Sequence, residues 1–195
     1  MFDIIIIMNR RDKNNLLLVI TTVLTTCLLL VSCGVKPDNT GTLSEQSVSC
    51  VQNDFEMILY TDKSVYETTD IVQVWATLEY TGDKDEITIW SGEPFMIFSF
   101  TDGKDFNNLG TPVNNLLKST TIEKGELYRF NYEKSVTIFE DFPDADFWRE
   151  FAKEKDLRLP VGTYTISLKG DFGFSENVQE YPSDLLSELE IKVVE

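Results

Sequence analysis

The chain has 195 residues, of which 33 are acidic and 17 basic, giving a formal charge of −16, and it contains no histidine. So acidic a surface repels nucleic acid and anionic lipid headgroups, and nucleic acid is not expected among its partners. Without histidine there is no Ser-His-Asp or Cys-His nucleophile and no histidine metal site.

The first informative segment is N-terminal. Arg10, Arg11 and Lys13 precede an apolar run over residues 16–31, and Leu30-Val31-Ser32-Cys33 closes it. A basic leader, an apolar core and a small residue before a cut are the parts of a signal peptide. A membrane span needs about 20 apolar residues. This run has 16, five of them Thr or Cys. A plain secretory signal places a small residue three positions before the cut, where this chain has Leu30. The run resembles the lipobox of bacterial lipoproteins, with Leu30 and Ser32 in the expected places. That resemblance implies cleavage by signal peptidase II before Cys33 and a diacylglycerol on the Cys33 sulfur. Two acyl chains anchor a protein stably where one anchors it marginally. The expectation is a lipoprotein signal peptide over 1–32 and a mature protein held by lipid on the extracytoplasmic face of the cell membrane. Met8-Asn9-Arg10-Arg11 reads as a more natural start of translation than Met1.

Residues 33–53, rich in Gly, Pro, Asn, Thr, Ser and Gln, read as the lipidated N-terminus and a flexible linker. Cys27 leaves with the signal and Cys33 carries lipid. Cys50 then has no intrachain disulfide partner and reads as a tether residue.

Beyond residue 53 the pattern becomes short alternating runs. The strongest covers 71–80 (IVQVWATLEY), with Val72, Val74, Ala76, Leu78 and Tyr80 on one face and Gln73, Trp75, Thr77 and Glu79 on the other. Period two with β-branched and aromatic residues predicts a strand. Further strands are predicted at 55–60, 87–90, 95–101, 119–122, 126–132, 135–139, 161–169 and 188–194. Turns are expected at 81–86, 91–94, 102–104 and 123–125. Residues 144–155 (DADFWREFAKEK) put Phe147, Trp148, Phe151 and Ala152 on one helical face, with acids early, lysines late and Asp144 as cap. This set predicts a mainly β domain over 54–195, an immunoglobulin-like antiparallel β-sandwich with one short helix.

The stretch Tyr80-Thr81-Gly82, Ile87-Thr88-Ile89-Trp90, Phe98 and Phe100 leading into Thr101-Asp102-Gly103-Lys104, and later Leu159-Pro160-Val161-Gly162-Thr163-Tyr164 resembles the BsuPI-type intracellular proteinase inhibitor family. About half the chain is covered. The resemblance implies an immunoglobulin-like sandwich and, as an alternative function, proteinase inhibition. An exported, acylated chain would meet an extracellular protease rather than an intracellular one.

Candidate chemistry is sparse. Glu140, Asp141, Asp144 and Asp146 cluster before the helix and read as a solvated acidic loop rather than an acid–base pair. Asp83, Asp85 and Glu86 do not have the spacing of a calcium loop. Neither metal nor cofactor is expected, nor catalysis. Trp75, Trp90 and Trp148 are the candidate binding surface, since an exposed tryptophan stacks on sugars or anchors a peptide; Trp148 reads more readily as buried. The sequence therefore predicts a lipid-anchored, non-enzymatic binding or structural module with a possible protein partner.

Overall fold

Ten strands and one helix are formed by residues 45–104, 106, 109–136 and 145–195, which are those described by the computed structural model. In chain order they are β1 (Gln46–Gln52), β2 (Phe55–Thr61), β3 (Val65–Glu67), β4 (Val74–Tyr80), β5 (Glu86–Thr101), β6 (Leu109–Gly110), β7 (Asn114–Glu123), β8 (Leu127–Asn131), α1 (Ala145–Lys153), β9 (Gly162–Gly173) and β10 (Leu185–Val194). One sheet runs β1-β2-β4-β8. The other runs β3-β10-β9-β5, with β6 and β7 both against the far side of β5. The expected β-sandwich is thus the fold. No helix among the described residues is long and apolar enough to cross a membrane.

Alternation builds the core. Phe55, Met57 and Leu59 of β2, Ala76 and Leu78 of β4, and Ile166 and Leu168 of β9 are all fully buried between the sheets. Each of these side chains except the smaller Ala76 contributes about 1.5–3 kcal/mol through burial. Val72, Val74, Ala76, Leu78 and Tyr80 do share the buried face, as their spacing predicts. In β10, Leu189, Ile191 and Val193 point inward, while Glu188, Glu190 and Lys192 point to solvent.

Four elements depart from the sequence reading. β1 occupies seven residues assigned there to the linker; it pairs antiparallel with β2 from Gln46↔Thr61 to Gln52↔Phe55. Its alternation rests on only Val48 and Cys50, both packed on the core, too few apolar side chains to stand out among polar neighbours. Cys50 is accordingly a half-buried strand residue and not part of a tether. Residues 87–90 and 95–101 are one 16-residue strand, because Gly92-Glu93-Pro94 makes a bulge and not a turn. Across that bulge Ser91 faces Phe172 while Met96 faces Gly170, so the buried set switches from Ile89 and Ser91 to Met96, Phe98 and Phe100. β7 begins at Asn114, five residues before the strand predicted at 119–122. Finally, β3 pairs parallel with β10, from Val65↔Lys192 to Glu67↔Val194, so the second sheet is mixed and not purely antiparallel.

The short strand β3 exists because the chain changes sheets after β2. The corner is held by Asp62, whose Oδ1 accepts the Tyr66 hydroxyl at 2.7 Å and the Gln73 amide at 3.0 Å. Burial, reinforced by the Asp62 carboxylate, pushes the Tyr66 phenol far above its ordinary range. At the start of β9, the Tyr164 hydroxyl donates to the Pro160 carbonyl at 2.9 Å. This is the tyrosine-corner geometry of immunoglobulin-like sandwiches. The predicted strand at 135–139 and the cap Asp144 lie largely outside the described residues.

Candidate functional site

The outer face of the first sheet carries a row of stacked side chains. Tyr60 on β2 and Trp75 on β4 are register partners. Their rings stack at 5.4 Å between centroids with 5° between planes. From β8, on the other side of β4, the Arg129 guanidinium lies over the Trp75 ring at 4.8 Å, a cation–π contact. Arg129 Nε also donates to Asn131 Oδ1 at 3.1 Å. Because β2 and β8 flank β4 on opposite sides, both faces of the indole are covered. Trp75 is half-buried, and what it offers solvent is an edge. Stacking of a sugar on its face, the role sequence suggests, has no room.

Beside this row opens a cleft of about 250 Å³. Its walls are the lead into β4 with Ile71 and Trp75, the edge strand β8 with Arg129 and Asn131, and the segment after α1 with Lys155 and Asp156. That segment is fixed to the sheet by the Val72 amide, which donates to the Leu157 carbonyl at 2.8 Å. Lys134, which follows β8, closes the cleft at the helix end. Its ammonium donates to the carbonyls of Phe151 (2.5 Å), Glu154 (2.8 Å) and Asp156 (3.2 Å) and lies 3.8 Å from the Phe151 ring centroid. A cation at the carbonyl end of a helix satisfies orphan acceptors and complements the dipole. Desolvation draws the Lys134 pKa below the ordinary lysine range.

The three tryptophans do not form one surface. Trp90 is half-buried on the outer face of the second sheet, between Ser119 and Gly173, opposite the face that bears Trp75. Trp148 is removed from any binding surface: it is 5% exposed and packs on Phe106 at 4.9 Å and Phe151 at 5.7 Å. Phe106 in turn lies 5.3 Å from Tyr164, so the apolar face of α1 closes the end of the sandwich near the tyrosine corner. Cys33 lies outside the described residues, as do Glu140, Asp141 and Asp144. Asp146 is paired with Arg149 at 2.6 Å on the helix surface. Among the described residues no group of three or more Cys, Asp and Glu is placed to hold a metal ion. Asp102 is engaged by its own loop, its Oδ1 accepting the amides of Lys104 (2.8 Å) and Phe106 (3.0 Å).

Sequence reasoning singled out Trp75 but missed Arg129, Lys134 and Lys155. Alternation in β8 puts Arg129 on the outer face. Its meeting with Trp75 depends on β4 and β8 being neighbours, and no local pattern carries sheet order.

No family model matches the chain, and neither does any curated protein. Among solved structures, a β-glucosidase from Erythrobacter marinus aligns over 77% of this chain and 15% of its own, with 16% identity and a TM-score of 0.35. The chain therefore spans about 15% of that enzyme's length.

Proposed function

We propose that this protein is an extracytoplasmic lipoprotein, anchored to the cell membrane through acylated Cys33, whose β-sandwich is a non-enzymatic binding module. The observation that carries the anchor is Leu30-Val31-Ser32-Cys33 at the end of a basic-then-apolar leader. Support for binding over catalysis comes from composition and from the cleft. There is no histidine to act as base or ligand. The cleft instead gathers cationic and aromatic side chains, which bind better than they transfer protons at neutral pH.

The test is expression of the full chain and of Cys33→Ala in a bacterial host fed an alkyne-tagged fatty acid. The expected result is a labelled, membrane-sedimenting parent and an unlabelled variant that leaves the membrane fraction. A Cys33→Ala protein that still sediments with envelopes, or an unlabelled parent with its leader intact, overturns the anchor.

A further inference from the structure

We infer that the cleft between β4, β8 and the segment after α1 is a binding site for a small carboxylate ligand. This rests on the reading of the domain as a binding module and names what it binds.

The charge of the cleft runs against that of the chain. Acids outnumber bases 33 to 17 overall, yet the cleft is lined by Arg129, Lys134 and Lys155 against the single acid Asp156. Two of these four are already spent. Asp156 Oδ2 accepts from Arg158 at 3.0 Å, and Lys134 is engaged by three backbone carbonyls. Arg129 and Lys155 remain. Among the described residues neither has a carboxylate within 4.0 Å, although acids are abundant elsewhere.

Arg129 is also held ready. The guanidinium carbon lies over the Trp75 ring, 4.8 Å from its centroid. The Asn131 side chain takes its Nε proton, and among the described residues no hydrogen bond engages the two terminal nitrogens. A fork fixed in this way loses little rotamer entropy on binding and matches a carboxylate in bidentate geometry. Lys155 adds a second positive charge across the cleft. Ile71, which is exposed, and the half-buried Trp75 line the cleft and supply apolar contact for the body of the ligand.

Size limits the ligand. The cleft measures about 250 Å³, just under the range of roughly 300–1,000 Å³ typical of sites for drug-sized ligands. That admits one sugar acid or one capped amino acid. A carboxylate is common to both, and the two sources are separable by experiment.

The full-length protein, ¹⁵N-labelled and held in a neutral detergent, is titrated with D-glucuronate and with N-acetyl-alanine. D-glucose and N-acetyl-alanine amide serve as uncharged counterparts. The readouts are the Trp75 indole N–H and Arg129 Nε–H resonances. The expected result is saturable shifts at Trp75 and Arg129 with at least one carboxylate, and binding at least about tenfold weaker for its uncharged counterpart. Arg129→Gln and Lys155→Gln should each weaken binding by about tenfold, while Lys192→Gln, on β10, leaves it unchanged. Which carboxylate binds tells a sugar acid from a peptide terminus. Equal binding of charged and uncharged forms, binding indifferent to both cleft variants, or no shift with either carboxylate overturns the proposal. Should that happen while Cys33→Ala still releases the protein from membranes, the anchored module survives and only its ligand class is wrong.

Discussion

The Tyr164 hydroxyl reaches back four residues to the Pro160 carbonyl at 2.9 Å, and the Tyr164 ring lies 5.3 Å from that of Phe106. One side chain thus fixes the turn into β9 and the floor on which α1 packs. Burial pushes its phenol up to about 12, so the donor stays protonated throughout the neutral range. Tyr164→Phe keeps the ring and deletes the bond. Because Pro160 is exposed, its carbonyl can turn to water, and the cost should be about 1 kcal/mol, or about 2–4 °C in Tm for a domain of this size. Thermal denaturation of parent and variant checks this. An unchanged Tm would remove the corner from the account of stability.

How far the sequence discloses this arrangement depends on range. Val74, Ala76 and Leu78 reveal their strand and its buried face because period two is a local property of the chain. The helix is equally local, and Phe147, Trp148 and Phe151 announce it, although only contact with Phe106 and Tyr164 decides that Trp148 is buried. β1 and β3 are hidden for a different reason. A strand of three residues, or one with two half-buried apolar side chains, owes its existence to the partner it pairs with. The cleft is hidden most deeply. Its residues come from positions 71 to 75, 129 to 134 and 155 to 157, segments that meet only through sheet order and the docking of the segment after α1.

Gly92 shows how a bulge can pass for a turn. A Cβ placed there would stand 2.7 Å from the Asn114 carbonyl oxygen and 2.9 Å from Val113 Cγ1, so β7 approaches β5 only because the side chain is absent. Gly92→Ala should force the start of β7 outward, at a cost of about 1–3 kcal/mol, as for other overpacked sites. Hydrogen exchange gives the reading. Amides at Asn114 to Lys118 should lose protection while those of β9 and β10 keep theirs. Unaltered protection in β7 would mean that the ribbon yields without cost.

Asp70 gives the fold an acid-sensitive clasp. Its Oδ2 accepts the Glu67 amide at 2.9 Å and pairs with Lys63 at 2.9 Å. These contacts, the backbone bond foremost, hold its carboxyl below the ordinary aspartate range. A carboxyl with a depressed folded-state pKa contributes stability that is present above its unfolded value, about 3.9, and is lost as pH falls through the folded value. Carboxyl-carbon NMR should place the Asp70 midpoint below that of an unstructured aspartate. Asp70→Asn should be less stable than the parent at pH 7, and the difference should shrink under acid. A gap that does not narrow on acidification would count against the clasp.

Lys134 offers the sharpest separation of local from global stability. A helix of nine residues does not persist alone in water, and α1 depends on its aromatic face and on the three carbonyls that Lys134 gathers at its far end. Lys134→Met keeps an apolar stem against Phe151 and removes every donor. The carbonyls of Glu154 and Asp156 belong to exposed residues and can be hydrated, so the loss should be about 1–2 kcal/mol, below the sum of three charge-assisted bonds. That loss should fall on α1 and the segment behind it. Amide exchange should quicken from Phe147 to Leu157, while Ile166, Leu168 and Ile191 on the central strands retain their protection, since local opening draws on the least stable unit. Because Leu157 anchors the cleft wall to Val72, the same variant should broaden the Trp75 indole resonance without altering the rest of the sheet. Uniform loss of protection across β9 and β10 would instead make Lys134 a determinant of the whole sandwich.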